Sequence, residues 1–264
     1  MDLSFVILTW NSDSFIQASL DSILRSLSCM NSRSEIFVVD NGSVDETISI
    51  LRSYQKARPK QIKPIYLNRN YGTTYSRNVG LKKSVGKYIV VMDSDVEIFG
   101  DTLDELVDAL EGDSSIGLIA PKLIYPNGQI QKSTDNFPSL TSKLLRFFFL
   151  KAIEKNMSER TSPEEVDYAI SAMWVLRREL FDKIGYLDEN IFYAPEDADY
   201  CLSCWRHAYK VVYWPQAVAL HRTQELSRGI ALNRAKLEHL KGLFYYFRKH
   251  RYLFMAPKIR IQVR

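Results

Sequence analysis

Apolar and polar positions in the first part of the chain follow two alternating rhythms. Ser4–Leu8 (SFVIL), Ile36–Val39, Ile62–Leu67 and Tyr88–Met92 (YIVVM) are short, largely apolar runs, as expected of strands covered on both faces. Between them, Phe15, Leu20, Ile23, Leu24 and Leu27 recur at helical spacing over Phe15–Leu27, and Gly72–Val85 reads as a further helix. Ser43, followed by Asp45 and Glu46, reads as an N-cap with acids in the first turn. The β-α-β-α-β-α-β order predicts an α/β fold with a parallel, doubly wound central sheet flanked by helices. Ligands in such sheets collect at the carboxyl ends of the strands, near the point where strand order reverses. Thr9 and Asn11, Asp40, and Asp93 and Asp95 follow strands one, two and four, so one rim should hold them all.

The second half is less regular. Ile116–Tyr125 predicts a strand, and Pro126-Asn127-Gly128 a turn into a hairpin partner at Gln129–Lys132. A strongly apolar helix is expected over Leu140–Asn156, a strand over Asp167–Leu176, and helices over Arg178–Ile184 and Asp197–His207. Strands over Lys210–Tyr213 and Ala217–His221 precede an amphipathic helical region over Ser227–Tyr252. No repeat or Gly/Ser/Pro-rich linker interrupts the pattern. The expected organisation is one large domain over 1–225, with halves of about 1–98 and 99–225, and a helical C-terminal extension over 226–264.

Composition adds little: 46% hydrophobic and 25% charged is ordinary for a globular protein and excludes a disordered chain. Net charge is only +4, but residues 241–264 contain no Asp or Glu and interleave Lys and Arg with Phe, Tyr, Leu and Met. Such a segment suits an anionic bilayer; packing on the catalytic domain and a homodimer contact are the competing readings, and no motif supports nucleic acid. Three cysteines make no disulfide framework, which predicts a reducing compartment. The lone Cys201–Cys204 pair reads as core packing rather than a metal site. The N-terminal apolar run has no basic residues before it and reads as a buried strand, not a signal peptide. No apolar stretch approaches the ~20 residues of a membrane span. A cytoplasmic protein, peripheral on the inner face of the membrane if the basic end binds there, is the expectation.

Three clusters bear chemistry, each with a bland alternative. Asp93-Ser94-Asp95 places two carboxylates just off a buried strand, where they can hold Mg²⁺ or Mn²⁺ against a diphosphate, or merely form an acidic loop. Glu196-Asp197-Ala198-Asp199 opens a helix after Pro195; a carboxylate there can serve as general base, or simply favour the helix dipole. His221 ends a strand-like run, as a metal ligand or a surface histidine.

In combination, VILTWNSDSFIQASLDSIL, VVDNGSVDET, NRNYGTTYSRNVGLKKSVGKYIVVMDSD and FYAPEDADYCLSCWRHAYKVVYWPQAVALH resemble a family-two glycosyltransferase with the GT-A fold. The chain is most similar to the rhamnosyltransferase-like enzymes of bacterial surface polysaccharide assembly. The resemblance covers roughly residues 3 to 225. It implies an inverting transfer from a nucleotide diphosphate sugar donor, UDP or dTDP type favoured, to a saccharide or lipid-linked acceptor, with Mn²⁺ or Mg²⁺ as cofactor. Thr9 and Asn11 would line the nucleotide pocket and Asp40 would accept from the pyrimidine N3–H. Asn70, Gly72, Arg77 and Asn78 match the segment over nucleotide and diphosphate. Asp93 matches the ribose-side acid, Asp95 the direct metal ligand, and His221 the histidine completing the metal site. Asp197 matches the general base, Glu196 lies beside it at the acceptor, and Trp174 matches a residue near the acceptor sugar. Ile170-Ser171-Ala172 departs from the family by lacking a glycine; Ser203 and Ala208 replace a frequent arginine and glycine. A nucleotidyltransferase would carry a Gly-rich loop where this chain reads LTWNSDS, and a dinucleotide dehydrogenase a G-x-G-x-x-G. A non-catalytic binding protein would be expected to have lost Asp95 or Asp197; both are present.

Overall fold

The structure is a computed structural model; it describes residues 2–30, 32–141, 160–223 and 234–257. Strands β1 (Leu3–Thr9), β2 (Ser34–Asp40), β3 (Ile62–Tyr66) and β4 (Tyr88–Asp93) alternate with helices α1 (Ile16–Cys29), α2 (Thr47–Ala57) and α3 (Thr73–Leu81). There follow β5 (Val96–Ile98), α4 (Thr102–Gly112), β6 (Ile116–Ile124), β7 (Thr134–Asp135), β8 (Glu164–Glu165), β9 (Tyr168–Ala169) and β10 (Met173–Arg177). The remaining elements are α5 (Glu179–Lys183), α6 (Glu196–Arg206), β11 (Lys210–His221) and α7 (Arg234–His250).

One nine-stranded sheet runs β3-β2-β1-β4-β10-β6-β11-β5, with β8 also paired to β11. The β1–β2, β2–β3, β1–β4 and β6–β11 pairs are parallel. β10 enters antiparallel between β4 and β6, and β5 closes the far edge antiparallel to β11. Alternate side chains of β1 feed two cores, because successive strand residues face opposite ways. Phe5 and Ile7 pack with Leu20, Ile23, Leu51 and Leu106 on one face; Val6 packs with Ile89, Trp174, Tyr200 and Tyr246 on the other. Burying each such side chain stabilises the fold by roughly 1.5–3 kcal/mol before entropy is counted.

Several local expectations change. Ser43 does not cap α2: its Oγ accepts the Asn11 N–H at 2.8 Å, and Asp45 Oδ1 accepts the Thr47 N–H. The strand expected over Asp167–Leu176 is broken, with β9 paired to β7 in a separate ribbon while β10 joins the main sheet. The two strands expected over Lys210–His221 are one, with a register shift between Trp214 and Val218 where Pro215 lacks a ladder N–H. The hairpin expected after Ile124 is present as a single bridge to Ile130. The helix expected over Leu140–Asn156 falls almost wholly outside the described residues.

Cys201 and Cys204 are free thiols buried in the second core, and burial pushes both well above the ordinary range. Helix α7 packs Tyr246 and Phe247 into the same core, while Leu237, Leu240 and Phe244 stay exposed on its other side. Among the described residues no helix is long and apolar enough to cross a membrane.

Candidate active site

The parallel strands end on a common rim. In register, Thr9 of β1 stands beside Asp40 of β2, and Leu8 beside Asp93 of β4. Asp95 follows at once, and β5 begins at Val96. Because β5 pairs antiparallel with the end of β11, His221 lies opposite Val96 and so next to Asp95. Asp93, Asp95 and His221 offer ligand atoms that all lie within 4.8 Å of one another. His221 Nε2 and Asp95 Oδ1 are 3.4 Å apart.

Gln131, on the hairpin after β6, orients the imidazole: its amide oxygen accepts from His221 Nδ1 at 2.8 Å, which leaves Nε2 turned to the carboxylates. Burial opposes charging of this ring, but the Asp95 bond and charge outweigh it and raise its pKa. Asp93 is raised too, by desolvation first and Asp95 beside it, against the pull of Arg77. Two crowded carboxylates and one oriented imidazole form a donor set that fits Mn²⁺ or Mg²⁺.

At the end of β2, Asp40 is fully buried. Its Oδ2 accepts the Ser43 N–H at 3.1 Å, whereas among the described residues Oδ1 has no hydrogen-bond partner, and neither has Thr9 Oγ1. Asn11, at φ +49°, accepts the Val44 N–H on its side-chain oxygen. Asn70 and Gly72 are tied by Asn41: the Asn41 amide donates to Asn70 Oδ1 at 3.0 Å and to the Gly72 carbonyl at 3.3 Å. Gly72 has φ +88°, and a Cβ there would overlap the Phe192 carbonyl, so only glycine fits.

Between the Asp93 and Glu196 carboxyl groups lies a buried guanidinium. Arg77 Nη2 donates to Asp93 Oδ1 at 2.6 Å, and Nη1 lies 3.4 Å from Glu196 Oε1. Ser171 joins them, accepting from Arg77 Nη1 at 2.6 Å and donating to Glu196 Oε1 at 2.9 Å. One cation thus serves two carboxyl groups. Burial, then the Asp197 charge, push Glu196 up to about 8. Asp197, half-buried in the first turn of α6, accepts the Ala198 N–H at 2.7 Å. Burial, then the charges of Glu196, Asp93 and Asp197, raise the Tyr193 phenol.

Three placements differ from expectation. Arg77 is 1% exposed and donates to Asp93 and Ser171, so it does not face the rim as a free phosphate donor. Asn78 is turned inward, bonding the Leu187 carbonyl and N–H and Glu189, and so holds the 187–189 turn rather than a nucleotide. Trp174 is fully buried, stacked on Tyr200 with Nε1 donating to the Ala169 carbonyl, so its face is closed to a sugar. As part of β10, between two strands, it is core. Sequence reasoning missed Gln131, Ser171, Asn41 and Tyr193. Ser171 stood out only as a departure from glycine; Gln131 depends on hairpin geometry that no spacing carries.

An N-acetylglucosaminyl-diphospho-decaprenol L-rhamnosyltransferase of Mycobacterium tuberculosis is 25% identical over 90% of this chain and 80% of its own length. GalNAc-T7, solved with UDP, GalNAc and Mn²⁺, is 16% identical with a TM-score of 0.70, covering 94% of this chain and 48% of that one. The mannosyltransferase PcManGT of Pyrobaculum calidifontis, solved with GDP-Man and Mn²⁺, is 19% identical with a TM-score of 0.66, covering 97% and 65%. The chain spans from 25% to 80% of the length of curated relatives that it matches. The structural likenesses bear out the GT-A fold. The profile described as Glycosyl transferase family 2 matches residues 4–185, and the chain belongs to that family.

Proposed function

We propose that this chain is an inverting, metal-dependent glycosyltransferase. It would move a sugar from a nucleotide diphosphate sugar, UDP or dTDP type, to a saccharide or lipid-linked acceptor in surface polysaccharide assembly. The observation that carries the reading is the Asp93–Asp95–His221 cluster on the strand-end rim, one guanidinium away from Glu196 and Asp197. The ligands of the solved neighbours and the lipid-diphosphate acceptor in the mycobacterial relative's name support it.

Asp95 and His221 would hold Mn²⁺ or Mg²⁺, with Asp93 beside them. A cation there, when bound, supplies positive charge against a departing diphosphate. The unpartnered Oδ1 of Asp40 suits a ring N–H that uracil and thymine both carry. Asp197 takes the proton of the attacking hydroxyl as it reaches the anomeric carbon, and a single displacement inverts configuration. Its neighbour Glu196 retains a proton to about pH 8, so the pair divides into a neutral acid and a base. The outer face of α7, with Leu237, Leu240 and Phe244 beside Lys241 and Arg248, would rest on an anionic membrane surface from the cytoplasmic side.

A thermal-shift panel tests the donor reading. UDP or dTDP should raise Tm with Mn²⁺ present and much less with chelator, and the matching sugar nucleotides should do the same. Equal response to every nucleotide, or to none, would remove it.

A further inference from the structure

The stretch that carries Glu196 and Asp197 is gripped from two sides. On the donor side, the Thr73 N–H donates to the Phe192 carbonyl at 2.6 Å and Thr74 Oγ1 to the Ile191 carbonyl at 2.5 Å. On the other side stands α7. Gly242 faces the loop so closely that a Cβ would overlap the Ala194 carbonyl oxygen. A glycine inside a helix is unfavourable relative to alanine, and here the close approach is what requires it.

The end of α7 holds the first turn of α6. Asp199 is 3% exposed; its Oδ1 accepts from His250 Nε2 and its Oδ2 from Lys249 Nζ, both at 2.7 Å. Lys249 also pairs with Asp188 at 2.8 Å, and Asp188 accepts from Tyr245 OH at 2.9 Å. Arg206, in the last turn of α6, lies 2.8 Å from His250 Nδ1. A guanidinium only donates, so Nδ1 accepts, Nε2 carries the hydrogen, and the ring has one tautomer aimed at Asp199. Buried ion pairs contribute little net stability because desolvation offsets their attraction, yet their directionality fixes geometry. An apolar contact would have served mere adhesion.

We propose that α7 is a positioning element of the active site, in which Gly242, Lys249 and His250 set where α6 begins and thereby place the Asp197 carboxylate. The catalytic meaning rests on the glycosyl-transfer reading above; the positional claim does not.

The test uses the full chain and the variants Gly242→Ala, His250→Ala and His250→Gln. Amide hydrogen exchange over 192–199 should quicken by about tenfold or more in Gly242→Ala and His250→Ala, with β1 and β4 unchanged. UDP affinity with Mn²⁺, by calorimetry, should stay within about twofold of wild type while kcat falls, since the rim is untouched. His250→Gln, whose amide nitrogen reaches the place of Nε2, should restore both. Unchanged exchange over 192–199 in both variants would overturn the proposal, and so would a loss of protection spread evenly over the chain. Local quickening in a protein that transfers no sugar would uphold the positioning and discard the glycosyl-transfer reading.

Discussion

His221 Nε2 lies 3.4 Å from Asp95 Oδ1 because the last residues of β11 pair with β5, the strand that starts directly after Asp95. The Asp93–Asp95–His221 cluster is therefore closed by a sheet edge, and Gln131 behind the imidazole keeps Nε2 turned toward the carboxylates. Asp95→Ala should abolish most of the Mn²⁺ dependence of nucleotide binding. Gln131→Leu should weaken Mn²⁺ binding by about 10–100-fold while sparing the fold, because the imidazole loses the hydrogen bond that orients it. Calorimetry with UDP, with Mn²⁺ and with chelator, reads both; a wild type indifferent to the cation would dismiss the cluster as a metal site.

Asp197→Asn should retain nucleotide binding and lose transfer by about 10²–10⁴-fold, the usual contribution of a general base. Steady-state turnover, measured with the donor found by thermal shift, checks this. Near-normal rates would take Asp197 out of the mechanism.

Glu196 carries a proton in the folded protein up to about pH 8, whereas an unfolded glutamic acid releases it near 4.5. Between those values the native state binds the extra proton, so stability is greatest at the acid end and falls as pH rises. Glu196→Gln cannot ionise and should flatten that fall. Urea midpoints of both proteins at about pH 5 and about pH 8 decide it; parallel pH profiles would contradict the assignment.

Asp40→Ala should relax discrimination between UDP and ADP more than it alters metal dependence, since Asp40 sits at the end of β2 with one oxygen unpartnered. A variant as selective as wild type would end that role.

The outer stripe of α7 invites a vesicle experiment. Flotation with phosphatidylglycerol vesicles should capture the protein at low salt and release it at high salt, because each nearby Lys or Arg contributes about 1 kcal/mol. Leu240→Asp with Phe244→Asp should abolish capture. No salt-sensitive binding to anionic vesicles would exclude the membrane reading, and a concentration-dependent rise in mass would point instead to a dimer.

Much of the rim was legible because burial on both faces of β1, β2 and β4 dictates apolar runs, and the polar residue that ends each run must emerge at the sheet's edge. Thr9, Asp40 and Asp93 are of this kind. Trp174 and Arg77 lie deeper than their residue types suggest, for one shared reason. Aromatic and cationic side chains suit sugars and phosphates, but β10 lies inside the sheet and α3 turns its arginine inward, and neither orientation has a sequence signature. The two faces of α7 were likewise hidden: helical spacing separates Tyr246 from Phe244, yet only the docked helix reveals which face the core takes. Ser171 and Gln131 act through bonds made to residues far along the chain, where local pattern says nothing.

The placement of β5 at the outer edge, beyond β11, has a bearing on biosynthesis. Among the described residues, β5, made early in translation, finds its main-sheet neighbour in β11, the last of the strands in chain order. Such distant pairing forms late, after the local βα units have settled. While residues 96–220 are being made, Asp93 and Asp95 are therefore without the imidazole of His221 beside them. On the proposed metal reading, a cation would find its full ligand set only once His221 has emerged and docked, so that assembly of the cluster and pairing of β5 with β11 are one event.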